Sequence, residues 1–392
     1  MELPPRLRRC RHLMLEPRGE SGLDAAEAMQ GRLVVRHHPR WQGWTPHLEG
    51  PVSLTDEDLP LLSAVGPDDW VATDALCGRF GTGRVQAMVT AGLLLGSHAA
   101  HAPLRAVDDA WRDGRWWTPS AVAHGAARWR DVDSEAGGAG GGIAAMIQRF
   151  GPPPPSLAER ETTGSVVGLV ECDARAPLDA LLRTRRTCRN FDAGQPLGLP
   201  PLSRVLARSF GVLGGAQLAP GAEALKKPVP SGGGLHPVEA LLVARRVEGL
   251  DPGAWQYDAA GHRLLRLRCA LPGDLDAWLL RAMAGQPWFT GAAAFVILVA
   301  RFERSQWKYR NHPKAYRVAL LDAGHLGQAV ALAATEEGLG VFLTAALNEA
   351  MIEADLGLAS GREGVVAICG LGHRAGTLGV PELGADGLLG EA

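Results

Sequence analysis

Three stretches of this 392-residue chain gather side chains that could do chemistry. Trp307-Lys308-Tyr309 sets a primary amine beside a phenol. Such a pair can take a proton from carbon and polarise the group that loses it, provided burial brings the amine's pKa towards neutrality. Arg183-Thr184-Arg185-Arg186-Thr187-Cys188-Arg189-Asn190-Phe191 concentrates guanidinium forks and hydroxyls. A phosphate monoester carries close to two negative charges on its acceptor oxygens, and Arg185, Arg186, Thr187 and Arg189 suit that geometry. Lys226 to Pro237 (KKPVPSGGGLHP) is a glycine-rich loop flanked by prolines. Its glycines let the backbone approach a planar ring and leave amides free to bond the ring's edge. Each stretch also has a plainer reading: a surface lysine next to a half-buried tyrosine, charge complementing a helix C-terminus, and a turn.

The flanking pattern says what would position these groups. Ala292 to Ala300 is an uninterrupted apolar run and reads as a buried strand, which places Lys308 and Tyr309 in the loop after it. Val318 to Thr335 then reads as a helix that is apolar nearly all round, and such a helix must be enclosed in a large core or against a second subunit. A helix over Leu178 to Leu182 leads into the arginines, and a strand over Val238 to Arg245 follows the glycine loop. A hairpin is expected through Trp255 to Leu267, and a last apolar strand over Val365 to Cys369 leads to a loop from Gly370 to Arg374.

These stretches share one resemblance. Lys308-Tyr309 followed by Ala315 to Leu326 (AYRVALLDAGHL) resembles the K-Y-x(n)-Y-R-x-A-L-L-[ED]-A-G-H-L segment of the SagB-type dehydrogenases. These are FMN-dependent azoline oxidases of the nitroreductase superfamily. The arginine stretch resembles the family's R-R-S-x-R-x-F, and Pro230-Ser231-Gly232-Gly233-Gly234-Leu235-His236-Pro237 its P-S-A-G-x-L-Y-P, with His236 at the family's Tyr position. Gly338 to Leu347 (GLGVFLTAAL) resembles G-L-G-x-x-x-x-G-x-F, with Ala345 where the family has glycine. The resemblance covers about the C-terminal 230 residues and extends to the peptide maturation dehydrogenase subgroup, whose W-x-P-x-A-x-x-H segment is similar to Trp116 to His124.

The resemblance implies an α+β nitroreductase-like domain, a mixed sheet flanked by helices, working as a homodimer with FMN at its interface. It assigns Arg185, Arg186, Thr187 and Arg189 to the phosphate and ribityl chain, with Arg374 closing on the phosphate. Pro230, Ser231, Gly232 and Gly233 would meet the ring, Ser231 donating to its pyrimidine side, and Gly340, Thr344, Ala345 and Ala346 would lie along its edge. Lys308 and Tyr309 would be the catalytic pair, with either one as the base. The implied reaction is oxidation of thiazoline or oxazoline in a ribosomally made precursor peptide, with a cyclodehydratase as a further partner. The alternatives are a general NAD(P)H-dependent nitro or quinone reductase and a non-catalytic peptide-binding scaffold.

Composition bounds the rest. With 46% hydrophobic and 21% charged residues the chain can bury large cores, and its length suggests more than one domain. A net charge of −2 argues against a general grip on nucleic acid. Six scattered cysteines, none in a C-x-x-C pair, argue against a zinc site and a disulfide framework. The chain shows neither a run of about 18 apolar residues nor an apolar signal core, so a cytoplasmic protein is expected. Residues 1–100 show short strands (Leu33 to His37), then helices from Thr55, over Thr73 to Phe80 and over Val85 to Leu95, which suggests a winged-helix-like module. Its third helix is poor in base-reading side chains, so capture of a peptide on an open sheet edge, or a structural cap, fits better than DNA binding. Residues 101–160 form a Trp-rich connector with a Gly137 to Gly142 and Pro152 to Pro155 linker, and residues 161–392 form the FMN domain.

Overall fold

The computed structural model describes residues 3–136 apart from 24, 147–154, 169, 175–220, 222–269 and 271–390. The predicted glycine linker and Cys172 lie outside them, as does Pro155. The chain divides into two compact units: residues 1–128 with 301–320 and 358–364, and residues 129–300 with 321–357 and 365–392.

In the first unit, β1 (Arg6–Arg9) is the centre of a three-stranded antiparallel sheet, with β5 (Val71–Ala72) and β6 (Leu94–Gly96) on its two sides. A second sheet holds β2 (Met14–Leu23), β3 (Val35–Trp44) and β4 (Val52–Leu54), with β2 at one edge. The strand expected at Leu33 to His37 is thus part of a longer hairpin in which β2 and β3 pair over ten residues. A turn of helix, α1 (Ala25–Ala28), joins them. Helices α2 (Leu59–Ala64), α3 (Thr73–Phe80) and α4 (Thr82–Thr90) pack Leu61, Leu62, Leu76, Val85 and Val89 with Leu7 and Leu94 into one core. Leu93 to Leu95 belong to this core from a strand or its approach, not from the expected helix; an apolar run of three residues has no period to tell the two apart. Gly81, at φ 85, makes the turn between α3 and α4, and Thr82 and Gly83 already belong to α4. Then come α5 (Ala102–Asp113) and α6 (Thr118–Ala127).

The second unit opens with α7 (Pro177–Thr184) and α8 (Leu199–Phe210), then an exposed hairpin of β7 (Gly214–Ala219) and β8 (Ala222–Lys226). Its six-stranded sheet runs β11-β10-β9-β12-β14-β13: β9 (Val238–Ala244), β10 (Gly253–Asp258), β11 (Arg263–Arg266), β12 (Ala294–Arg301), β13 (Gly340–Thr344) and β14 (Glu363–Gly372). Ala294 to Ala300 are all buried, as a strand covered on both faces must be, and β12 pairs antiparallel with β9 from Ala294↔Ala244 to Ala300↔Val238. Gly370 to Gly372 continue β14 instead of forming the expected loop. A Cβ on Gly370 would lie 2.0 Å from the Phe342 ring, so glycine is what lets the strand pass that ring.

Between β12 and β13 come α10 (Phe302–Lys308) and α11 (Lys314–Glu336), with α9 (Leu275–Ala282) before β12 and α12 (Glu349–Leu356) after β13. Lys308 therefore ends a helix and is not in a loop. The long helix begins earlier than expected and is not enclosed on all sides by one chain: Leu320 and Leu321 remain 42% and 54% exposed. By length and composition α11 could cross a membrane, yet Asp322, Leu326, Val330, Ala333 and Ala334 are buried within the protein. The C-terminal residues add a small hairpin of β15 (Glu382–Gly384) and β16 (Gly387–Leu389).

Candidate active site

The arginine stretch leaves α7 and runs beside β13. Thr187 bridges Val341, the Cys188 N–H donates to the Val341 carbonyl at 2.8 Å, and Phe191 bridges Arg374. Gly340 faces this stretch closely; a Cβ there would lie 2.7 Å from Cys188 Sγ and 3.2 Å from Arg374 Cγ. Arg186, Thr187, Arg189, Gly340 and Arg374 are thus gathered in one corner, with Arg185 next to Arg186 in the chain where α7 ends.

The corner contains an acid that carries no signal in the sequence. Glu382 is 1% exposed and accepts from Arg186 Nε at 2.7 Å, Arg374 Nη1 at 3.4 Å, the Arg189 N–H at 2.7 Å, and the Asn190 N–H and Nδ2. Burial works against its charge, but the hydrogen bonds from Arg189, Arg186 and Asn190 outweigh it and hold its pKa below the usual carboxylate range. Asn190 ties the same C-terminal segment down by accepting from the Gly379 and Val380 N–H groups and donating to the Val380 carbonyl. Burial lowers the pKa of Arg374 and pushes the neighbouring Cys188 thiol up to about 11, with Glu382 adding to the latter. Glu382 therefore sorts the guanidiniums. Arg186 and Arg374 are paired with it, while among the described residues no acid pairs with Arg185 or Arg189. Two unneutralised forks with the Thr187 hydroxyl are a donor set that fits a phosphate monoester.

The glycine loop is held by α11. Asp322, buried in that helix, accepts from Ser231 Oγ at 2.5 Å and from the Gly232 N–H at 3.1 Å. The Ser231 hydroxyl in turn accepts from the His236 N–H at 2.8 Å, and His325 Nδ1 lies 3.3 Å from the Pro230 carbonyl. Ser231 thus turns its proton to Asp322. Gly233, Gly234 and His236 take left-handed backbone angles (φ 68, 70 and 45), which lets the loop double back. The helix also lies against β13: a Cβ on Gly327 would come within 2.2 Å of Leu343 Cδ1. At the end of β13, Thr344 donates to Gln286 Oε1 at 2.9 Å and accepts from the Ala346 N–H at 3.3 Å, while Ala345 is exposed. One helix therefore supports both the Pro230–Gly233 loop and the strand that ends in Thr344, Ala345 and Ala346.

Lys308 and Tyr309 belong to the first unit. The Tyr309 N–H closes the last turn of α10 on the Ser305 carbonyl at 2.9 Å, and Lys308 Nζ stands 5.8 Å from the centre of the Tyr309 ring. Tyr309 is half-buried, whereas Lys308 is exposed, so one chain does not supply the burial that a base role requires. Among the described residues, no group of three or more His, Cys, Asp or Glu side chains is placed to hold a metal ion.

The nitroreductase family model matches residues 182–373, which span the arginine stretch, the glycine loop, α11 and β13. A protein of Methanocaldococcus jannaschii named as a nitroreductase, MJ1384, is 30% identical over 163 residues, 42% of this chain and 75% of that protein. The chain belongs to the nitroreductase family. It is also similar to the trifolitoxin-processing protein TfxB of Rhizobium leguminosarum bv. trifolii, 34% identical over 142 residues. That match takes in 35% of this chain and 36% of TfxB, so the chain spans little more than a third of that relative. Among solved structures, the E. coli microcin synthetase McbBCD complex with truncated pro-MccB17 bound superposes with a TM-score of 0.49 at 18% identity, over 64% of this chain and 90% of that one. Proteins of this family are typically flavin-dependent.

Proposed function

We propose that this member of the nitroreductase family is an FMN-dependent dehydrogenase that matures a ribosomally made peptide, oxidising an azoline ring to an azole. The observation that carries the reading is the Lys308–Tyr309 pair, an amine 5.8 Å from the centre of a phenol ring. A nitro or quinone reductase needs the phosphate and glycine segments but has no use for such a pair. Composition lends support: only four of the forty basic residues are lysines (Lys226, Lys227, Lys308, Lys314), and a guanidinium at 308 could not act as a base. Similarity to a trifolitoxin-processing protein supports a peptide as the substrate.

In this reading Arg185, Arg189 and Thr187 hold the phosphate, with Arg186 and Arg374 kept in place by Glu382. The Pro230–Gly233 loop and residues 340 and 344–346 meet the ring. When bound, FMN supplies the hydride acceptor, and molecular oxygen serves as the final oxidant. One of Lys308 Nζ and Tyr309 Oη takes the proton from the azoline carbon, and the other polarises the ring as it aromatises. The exposed Leu320, Leu321 and Leu343 favour a homodimer, and a second chain together with the bound peptide would desolvate Lys308. The open edge of β2 offers a place for a leader segment to add as a strand, in a protein that works beside a cyclodehydratase. Nucleic acid fits poorly, because Arg84 on α4 is already paired with Glu57 and Asp58.

The test is direct. FMN-loaded protein is incubated aerobically with a synthetic peptide bearing a single thiazoline, and the product is weighed by mass spectrometry. Loss of two hydrogens from the ring is the expected result. An unchanged peptide, together with brisk nicotinamide-driven reduction of a nitroarene, would move the assignment to a general reductase.

A further inference from the structure

The Trp-rich segment before the FMN domain has no role in the reading above, and neither does the grouping of residues 301–320 with residues 1–128. The two features explain each other. Residues 302–316, which carry Lys308 and Tyr309, are gripped at three points by residues 115–124.

The first grip is at the start of α10. Phe302 is fully buried, with its ring 4.9 Å from that of Trp116 and 4.8 Å from that of His124. The second is in the first turn of α11, where Tyr316 packs 5.7 Å from Trp116 and 5.4 Å from His124, its hydroxyl 3.3 Å from His124 Nδ1. Trp116 and His124 are themselves stacked, 5.5 Å apart with planes 11° from parallel, and the Trp116 indole N–H donates to the Gly361 carbonyl at 2.7 Å. Both helices that flank the Lys–Tyr pair therefore rest on one rigid aromatic block.

The third grip lies between the helices. Asn311 has a left-handed backbone (φ 49) and faces Arg115, another non-glycine residue in that region (φ 55). The Asn311 N–H donates to the Arg115 carbonyl at 3.2 Å. With its carboxamide nitrogen turned towards the same side, the Asn311 side chain donates to the Arg115 carbonyl at 3.3 Å and to the Trp116 carbonyl at 3.2 Å. Left-handed non-glycine residues cost energy and persist where their surroundings over-determine them. Here two of them meet across one set of hydrogen bonds, two residues beyond Tyr309.

The geometry points to Asn311 as a positioning residue and to residues 115–124 as the mount that fixes Lys308 and Tyr309. This inference rests on the proposed catalytic role of that pair. It gives the Trp-rich segment a part in the chemistry.

The test uses full-length, FMN-loaded protein and two variants. Asn311→Gly keeps the left-handed backbone and loses the carboxamide. Asn311→Asp keeps the shape but turns a carboxylate towards two carbonyl oxygens. The protein has three tyrosines, so labelling with 3-fluorotyrosine yields one fluorine resonance each for Tyr257, Tyr309 and Tyr316. In both variants the Tyr309 resonance should move or broaden while that of Tyr257 stays in place. Turnover of the thiazoline peptide should fall about tenfold in Asn311→Gly and further in Asn311→Asp, with KM and FMN content unchanged, as expected for a loss of alignment. A Tyr309 resonance and a kcat like those of wild type in both variants would overturn the inference. Lys308→Ala serves as the control: if it turns over normally, the catalytic reading fails, while the fluorine spectra still decide whether Asn311 fixes the segment.

Discussion

The corner around Glu382 and the aromatic mount around Trp116 and His124 solve the same problem by opposite means. Both hold a functional segment still, and both bury an ionisable group. In the corner the buried group keeps its charge, because two guanidiniums, two backbone amides and a carboxamide point at Glu382. In the mount the buried group loses its charge: burial among aromatic rings, with Arg128 adding to it, lowers the pKa of His124 to about 3. His12, in the same unit, is lowered to about 4 by burial. A charged centre suits the anion-binding role proposed for this corner, since it spaces and orients the cations around it. A neutral, stacked centre suits a platform whose task is shape.

The contrast can be broken most severely at Glu382. Glu382→Ala leaves two partly buried guanidiniums and two amides without their acceptor and should cost about 3 kcal/mol of stability, seen as a lower denaturant midpoint. Glu382→Gln should cost less, because the amide oxygen still accepts. Equal and negligible effects of both would mean that the corner is not held by this carboxylate.

Acid should separate the two regions. A histidine whose folded pKa is depressed stabilises the fold fully above its unfolded pKa near 6.5, and stability falls as the unfolded chain takes up protons below that value. His124 should therefore cost roughly 1 kcal/mol per pH unit below 6.5, down to its folded pKa near 3. Glu382, with its folded pKa lowered, keeps its contribution until the pH falls below the ordinary carboxylate value of 4.5. Near-UV circular dichroism of the Trp116 cluster should fade before FMN is released as the pH falls from 7 to 4, and His124→Phe should flatten that early loss. Simultaneous loss of both signals would erase the distinction.

The smallest effect sharpens the corner alone. Arg185→Ala should weaken FMN binding by about tenfold, the loss of one charged hydrogen bond, measured by quenching of flavin fluorescence. Arg186→Ala should weaken it less, because its guanidinium is engaged by Glu382.

What could be read in the sequence followed from pattern strength. The β12 run, the apolar stretch of α11 and the hairpin through Trp255 all carry a clear period or an unbroken apolar run, and all are elements of the fold. The α10 helix was hidden because seven residues (FERSQWK) make too few turns to show a period. Glu382 stands 196 residues from Arg186 in a glycine-rich tail, and nothing local marks it as the acid that will meet those arginines. Asp322 was visible as a letter within the family-like segment, but its work, holding Ser231 and Gly232, depends on a loop 90 residues earlier. Asn311 reads as an ordinary turn residue, and only its left-handed angle opposite that of Arg115 shows what it ties together.

The account depends most on Lys308 acting in chemistry on a flavin held elsewhere. Purified wild type and Lys308→Ala should therefore be titrated with FMN and then assayed on the thiazoline peptide in parallel. The account predicts equal FMN binding and turnover at least ~100-fold slower in the variant, the range expected for loss of a general base. A wild-type protein that takes up no FMN, or a variant as active as wild type, would contradict it.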